Sequence, residues 1–189
     1  MINKFGDIYI VIEIYTDGAS SPQTTQAAGW AFAVSPISGG VQWNVFYGYL
    51  PPPSTNNIAE LLGVINALKL LWKFSGCGER NIPKATIISD SQYVINSATK
   101  WRSKWEYEGM PPKNTELLLD LFNMYDKVCS ICELELKWVK GHAGTIGNEI
   151  ADQWSVRAKE NSSMVLENER FRVKKVVGSF NQFIGISEG

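Results

Sequence analysis

The sequence predicts a mixed α/β domain on three observations: early apolar runs broken by turn formers, a change to helical spacing at Asn57, and a short buried strand leading into a helix at Asp90. Ile8–Thr16 is rich in Ile and Tyr, and Trp30–Val34 and Val41–Tyr49 continue the pattern, so three consecutive strands form a meander. Pro36 and the pair Gly39-Gly40 supply the second turn, because proline fixes φ and glycine tolerates the left-handed backbone. Pro51-Pro52-Pro53 ends this run.

From Asn57 onward Leu61, Ile65, Leu68 and Trp72 recur at three- and four-residue steps and line one helical face, which must cover the sheet. Asn57 and Glu60 have the spacing of a capping box, and Gly76 and Gly78 close the helix. Thr86-Ile87-Ile88 is a short β-branched strand ending at Ser89-Asp90, with Ser91–Ala98 as the helix behind it, a parallel βαβ-like unit. After Pro111-Pro112, Asn114 caps a helix that carries Leu117, Leu118, Leu121, Met124, Tyr125 and Val128. Glu133–Val139 is a fifth strand, Gly141–Gly147 a loop, and a last helix turns Ile150, Trp154 and Ala158 inward. Beyond Glu160 the character changes: Asn161-Ser162-Ser163 is linker-like, and Phe171–Ile186 mixes cations with Val and Phe in a stretch that suits a hairpin turning at Gly178-Ser179. The expected organisation is one folded domain over residues 1–160 and a C-terminal appendage of unassigned role over residues 161–189.

With 189 residues, 44% hydrophobic and 20% charged, the chain has the size and composition of one globular domain. A formal net charge of −1 gives no overall cationic field, so any grip on nucleic acid must come from local Lys and Arg or from metal ions. That counts against a simple nucleic-acid coating protein. Met1–Asp7 lacks the apolar core of a signal peptide, and no stretch is long and apolar enough to span a bilayer. Cys77, Cys129 and Cys132 are an odd set without framework spacing, which points to reduced thiols and a cytoplasmic location.

Four acids carry the chemistry: Asp17, Glu60, Asp90 and Asp152. Each has a plain structural explanation or demand of its own. Asp17-Gly18 suits a turn, Glu60 a capping box and Asp90 an N-cap for the helix at Ser91, while Asp152, flanked by Ile150, Ala151 and Trp154, would need a partner or metal to offset burial. Together the four make a different kind of sense. Magnesium prefers oxygen ligands, and two ions about 4 Å apart stabilise both the entering and the leaving oxygen of a phosphoryl displacement.

The runs Tyr15-Thr16-Asp17-Gly18, Thr55-Asn56-Asn57-Ile58-Ala59-Glu60, Ser89-Asp90-Ser91-Gln92-Tyr93-Val94, Trp138-Val139-Lys140-Gly141-His142-Ala143-Gly144 and Asn148-Glu149-Ile150-Ala151-Asp152 closely resemble type I ribonuclease H. The resemblance spans about Ile8–Lys159 with the motifs in family order. It implies a ribonuclease H-like α/β fold, a five-stranded mixed sheet of three antiparallel and then parallel strands with helices on both faces. It also implies hydrolysis of the RNA strand of an RNA/DNA hybrid, leaving 5′-phosphate and 3′-hydroxyl ends, with two Mg2+ ions per site and Mn2+ as a substitute. On this resemblance Asp17, Glu60, Asp90 and Asp152 are the metal ligands, Asp17 shared by both ions, and His142 is the mobile histidine that assists proton transfer or product departure. His142 is also the only histidine, in a loop that Gly141 and Gly144 make pliable, and imidazole is the side chain suited to moving protons near neutral pH.

Hybrid recognition needs shape and 2′-hydroxyl sensing rather than base identity. Gly18, with no side chain, leaves room for a substrate backbone. The resemblance places Asn57, Gln92 and Glu60 near the RNA strand, and Thr55, Asn56 and Asn114 toward the DNA strand. Trp101 and Tyr93 fall on the DNA side, Trp105 is mostly structural, and Arg102, Lys104 and Lys113 are placed to neutralise phosphates. Departures from the family pattern concern grip rather than chemistry: a short acidic stretch, Glu106–Pro112, stands where many bacterial members carry a lysine-rich protrusion, the loop Ala19–Gln26 is poor in glycine, and Ile58 stands where arginine is common. The rival readings are a hybrid-binding module that does not cut and a DNA-cutting nuclease of the same superfamily. A protein partner or oligomer formed through the tail is a further expectation that the residues leave unsupported.

Overall fold

Strand β1 (Val11–Ser20) is the centre of the molecule. In the computed structural model, which describes residues 11–37, 40–76, 82–161, 174–179 and 182–183, β1 buries Ile12, Ile14 and Thr16 on one face while Glu13 points to solvent. It pairs antiparallel with β2 (Ala28–Val34) from Ile14↔Val34 to Ser20↔Ala28, and parallel with β4 (Lys84–Ser89) from Val11↔Lys84 to Thr16↔Ser89. The parallel partner therefore ends one residue before Asp17. From there to Ser20 one edge of β1 is open, and the first acid stands where the opening begins.

β3 (Trp43–Leu50) continues the meander beside β2, and β5 (Glu133–Trp138) runs parallel to β4 on the other side. The expected five strands are joined by a sixth. β6 (Lys174–Gly178) pairs antiparallel with β3, and the order is β5-β4-β1-β2-β3-β6. An exposed β3 edge would leave a row of backbone donors and acceptors without partners, and β6 satisfies them. At the expected hairpin turn Gly178-Ser179, Phe183 N–H donates to the Ser179 carbonyl at 3.2 Å, and residues 182–183 are helical. Residues 171–173, 180–181 and 184–186 of that stretch lie outside the described residues.

Helices cover both faces. Adjacent residues of β1 point oppositely, and α1 (Asn56–Gly76) lies on the Gly18 side while α5 (Ile146–Glu160) lies on the Asp17 side. A Cβ at Gly18 would come within 2.5 Å of the Glu60 backbone nitrogen, so glycine lets the start of α1 seat against the strand. α1 is itself covered by α4 (Thr115–Cys129), and Leu61, Ile65, Leu68 and Leu71 are buried between them and the sheet. Trp72, expected inward, is 37% exposed, because Leu71 occupies the sheet-facing position of that turn. The second face is smaller: Ala33, Val45, Ile150 and Phe183 form its core, with Trp43, Trp154 and Val176 packed around them.

Three helix starts differ from expectation. α1 begins at Asn56, and Thr55 caps it by accepting from Ile58 N–H at 3.3 Å, so Asn57 and Glu60 form no capping box. α2 (Gln92–Asn96) is capped by the Ser91 hydroxyl, which accepts from Val94 N–H at 3.3 Å, rather than by Asp90. Asn114 precedes α4 in the left-handed region at φ 60° and caps it with no side-chain bond, giving its amide instead to the Tyr93 hydroxyl at 3.3 Å. The helix expected over Ser91–Ala98 runs on through a wide π-type turn, Ser97–Trp101, into α3 (Arg102–Glu108). No helix of the described residues is long and apolar enough to cross a membrane.

Candidate active site

Asp17 is 8% exposed on the α5 side of β1. Burial, and then the negative charge of Asp90 with a smaller push from Asp152, raise its carboxyl to about 8, against the pull of a hydrogen bond from Ser155 and the backbone N–H of Gly18. Being inside a strand, Asp17 is no turn former. Glu60 is raised in the same direction, chiefly by burial and also by Asp90, while Ser91 and Asn56 pull it back. The Ser91 hydroxyl donates to Glu60 Oε2 at 2.5 Å and the Asn56 amide to Oε1 at 2.7 Å. Because Thr55 and Ser91 perform the capping, the carboxylates of Glu60 and Asp90 are left free of any helix-capping duty.

Asp90 follows β4 directly and is held on three sides. Its carbonyl accepts from the Trp138 indole N–H at 3.0 Å, Asn148 donates to Oδ2 at 3.4 Å, and the backbone at Gly141 runs so close that a Cβ there would lie 2.6 Å from Oδ2. The glycine in this loop thus lets the chain pass the carboxylate. One residue on, His142 adopts φ 53° and is 80% exposed, with Nδ1 3.9 Å from Oδ2 of Asp152. Asp152 is half-exposed rather than buried against the core, so its charge keeps contact with solvent.

The four acids act on one another electrostatically: Asp17 responds to Asp90 and Asp152, and Glu60 to Asp90. Among the described residues no three Asp, Glu, His or Cys side chains converge into a preassembled metal-binding group. Three of the carboxylates accept hydrogen bonds from neighbouring side chains: Ser155 for Asp17, Ser91 and Asn56 for Glu60, and Asn148 for Asp90. Clustered anions repel, and a divalent cation offsets that repulsion. An all-oxygen donor set around a carboxyl raised to about 8 fits magnesium or manganese in kind.

Beside the acids runs an open polar groove of about 600 Å3 lined by Ser20, Pro22, Ser54, Thr55, Asn56, Asn57, Lys113 and Asn114. It brings Thr55 and Asn56, at the start of α1, together with Asn114, which precedes α4. Gln92 is exposed at the first turn of α2, and Tyr93, Trp101 and Trp105 form a row with centroid separations of 6.2 and 5.6 Å, Trp101 being 37% exposed. Of the three cations expected to meet phosphates, two are committed elsewhere. Arg102 makes a two-pronged pair with Asp126 at 2.7 and 2.8 Å and a third bond to Glu106, and Lys104 faces Glu108 at 3.5 Å. Lys113 lines the groove.

Ser155, Asn148 and Trp138 join the site through contacts that no local pattern announces. Asn148 and Trp138 stood in the recognised motifs without a role, and the one signal for Ser155 was its place one turn after Asp152 on the same helix.

The sheet order and the helices on both faces define a ribonuclease H-like α/β fold. The RNase H family model matches residues 10–160, and the chain belongs to that family. A ribonuclease H of Orientia tsutsugamushi (strain Boryong) is 31% identical over 170 residues, covering 84% of this chain and 88% of the relative. Another, of Wolbachia sp. subsp. Drosophila simulans (strain wRi), is 36% identical over 155 residues, covering 78% and 94%. Among solved structures, LC9-RNase H1, described as a type 1 RNase H with the type 2 active-site motif, aligns with a TM-score of 0.59 at 20% identity over 94% of this chain and 82% of its own. The N-terminal RNase H domain of rv2228c from Mycobacterium tuberculosis aligns at 0.57 and 19% identity over 80% and 94%. At these identities the two structures speak to the fold.

Proposed function

We propose that the chain is an endonuclease that hydrolyses the RNA strand of RNA/DNA hybrids, leaving 5′-phosphate and 3′-hydroxyl ends. The observation that carries this reading is that Asp17, at the open edge of β1, is raised by the charges of Asp90 and Asp152 and shares the Ser155 hydroxyl with the Asp152 backbone, while Glu60 is raised by Asp90, in a chain of the RNase H family. Asp17 would be the ligand shared between two sites, with Glu60 and Asp90 completing one and Asp152 the other. Magnesium bound there would supply positive charge to the scissile phosphodiester, and manganese could replace it.

The chain's own residues do the rest. Glu60, braced by Ser91 and Asn56, keeps its carboxylate toward Asp90. His142, on a loop that glycine carries past Asp90, accepts or delivers a proton at the departing group, with Asp152 nearby. Gly18 leaves room for the substrate backbone, and Asn57, Gln92 and Glu60 sense the RNA strand. Thr55, Asn56 and Asn114 in the polar groove, with Tyr93 and Trp101, hold the DNA strand. Residues 1–160 act as the catalytic domain and residues 161–189 as an appendage whose strand β6 extends the sheet. Free thiols at Cys129 and Cys132 accord with a cytoplasmic setting.

Labelled RNA/DNA hybrid, duplex RNA, single-stranded RNA and duplex DNA, each incubated with magnesium, manganese or chelator, test the reading. Metal-dependent cutting of the RNA within the hybrid alone is the expected result. Binding without cutting, or cutting of duplex DNA, rejects it.

A further inference from the structure

One buried hydroxyl touches two segments of the site at once. Ser155 on α5 is 0% exposed, and its Oγ lies 2.9 Å from Oδ2 of Asp17 and 2.8 Å from the carbonyl oxygen of Asp152. A hydroxyl has one proton to give. Serine inside a helix commonly gives it to a carbonyl in the preceding turn, so the Asp152 carbonyl is the ordinary acceptor. Once Asp17 is ionised, as it must be to hold a cation, a hydrogen bond to its carboxylate is roughly twice as strong as one to a neutral acceptor, and that favours Asp17. Among the described residues, the other hydrogen bond that bears on the Asp17 carboxyl comes from the backbone N–H of Gly18.

Backbone contact fixes where Ser155 sits. Gly29 of β2 faces this turn of α5, and a Cβ there would collide with the Ser155 carbonyl oxygen and the Lys159 nitrogen. Helix and strand are therefore in direct backbone contact beside Asp17, whose partner on β2 is Ala31, two residues from Gly29. The height of the hydroxyl over Asp17 is thus set by α5 and β2 rather than by a loose side chain.

We propose that Ser155 is a positioning residue that holds the Asp17 carboxylate facing Asp90 and Asp152, so that the site takes up divalent cations readily. This rests on reading the four acids as a magnesium site. Calorimetric titration of Mg2+ into the full chain, its Ser155→Ala, Ser155→Cys and Ser155→Thr variants and an Asp17→Asn control tests it, alongside steady-state cleavage of hybrid. Losing a hydrogen bond to a charged group should weaken Mg2+ binding about tenfold in the Ala and Cys variants, with KM for hybrid unchanged and kcat lowered at limiting Mg2+. The Thr variant, which keeps the hydroxyl, should restore binding. Wild-type Mg2+ affinity in a folded Ala or Cys variant overturns the proposal, as do equal losses in the Thr and Ala variants. Should the Ala variant fail to fold, the near-isosteric Cys variant decides the matter. If Asp17→Asn also binds Mg2+ and cuts like the wild type, the magnesium-site reading itself falls; if Asp17→Asn alone is impaired, only the role of Ser155 falls.

Discussion

At the scale of single residues, Asp17 governs how stability responds to pH. Its folded carboxyl is raised from 3.8 to about 8. Between those values the folded chain holds a proton that the unfolded chain has lost, so the contribution is fully present below about pH 4 and is lost as pH rises toward 8. Glu60 acts in the same direction. In chelator the melting temperature should therefore fall between pH 5 and pH 8.5, and Asp17→Asn should flatten the fall while raising the melting temperature at neutral pH. A pH-independent melting curve in the wild type would refute the burial and repulsion assigned to Asp17. Gly141 tests the loop. Its Cβ would lie 2.6 Å from Asp90 Oδ2, so Gly141→Ala should lower kcat at least about tenfold, with little change in KM, by displacing the carboxylate and the loop that carries His142.

At the scale of elements, the strands and helices were legible where a period ran long enough: the meander, the buried strand before Asp90 and the apolar face of α1 all follow from spacing. Their ends were less so. Thr55, Asn57 and Asn114 are all good cap formers by type, and only the backbone geometry at each shows that Thr55 caps α1 while Asn114 spends its amide on Tyr93. The acids were legible as candidates because each sits in a short motif. Ser155 was not, because its partner Asp17 stands 138 residues away. The same limit concealed the use of Arg102, whose partner Asp126 belongs to another helix and leaves Lys113 as the cation in the groove. Lys113→Ala should raise KM for hybrid about threefold and reduce the salt dependence of binding by roughly one phosphate contact, measured by fluorescence anisotropy at several salt concentrations. An unchanged salt slope would place the DNA strand elsewhere.

At the scale of the whole molecule, the tail completes the smaller face of the sheet. A charged five-residue strand beyond a polar linker gives little periodic signal, and its pairing with β3 is set by the β3 edge, which no local pattern reveals. Phe183 is buried against Trp154 at a centroid separation of 5.7 Å. Phe183→Ala should cost about 3 kcal/mol and lower the melting temperature by roughly 8 °C, read by circular dichroism, with hybrid cleavage intact at low temperature. A neutral effect would show that the tail adds nothing to the core. Single-turnover cleavage of a labelled RNA/DNA hybrid in magnesium tests most directly the proposal that Asp17, Glu60, Asp90 and Asp152 act as one metal site at the β1 opening. Asp17→Asn, Glu60→Gln and Asp90→Asn should each, while folded, slow cleavage at least about a hundredfold, the loss of a few kcal/mol of transition-state stabilisation. A rate near that of the wild type in any one of them would contradict the account.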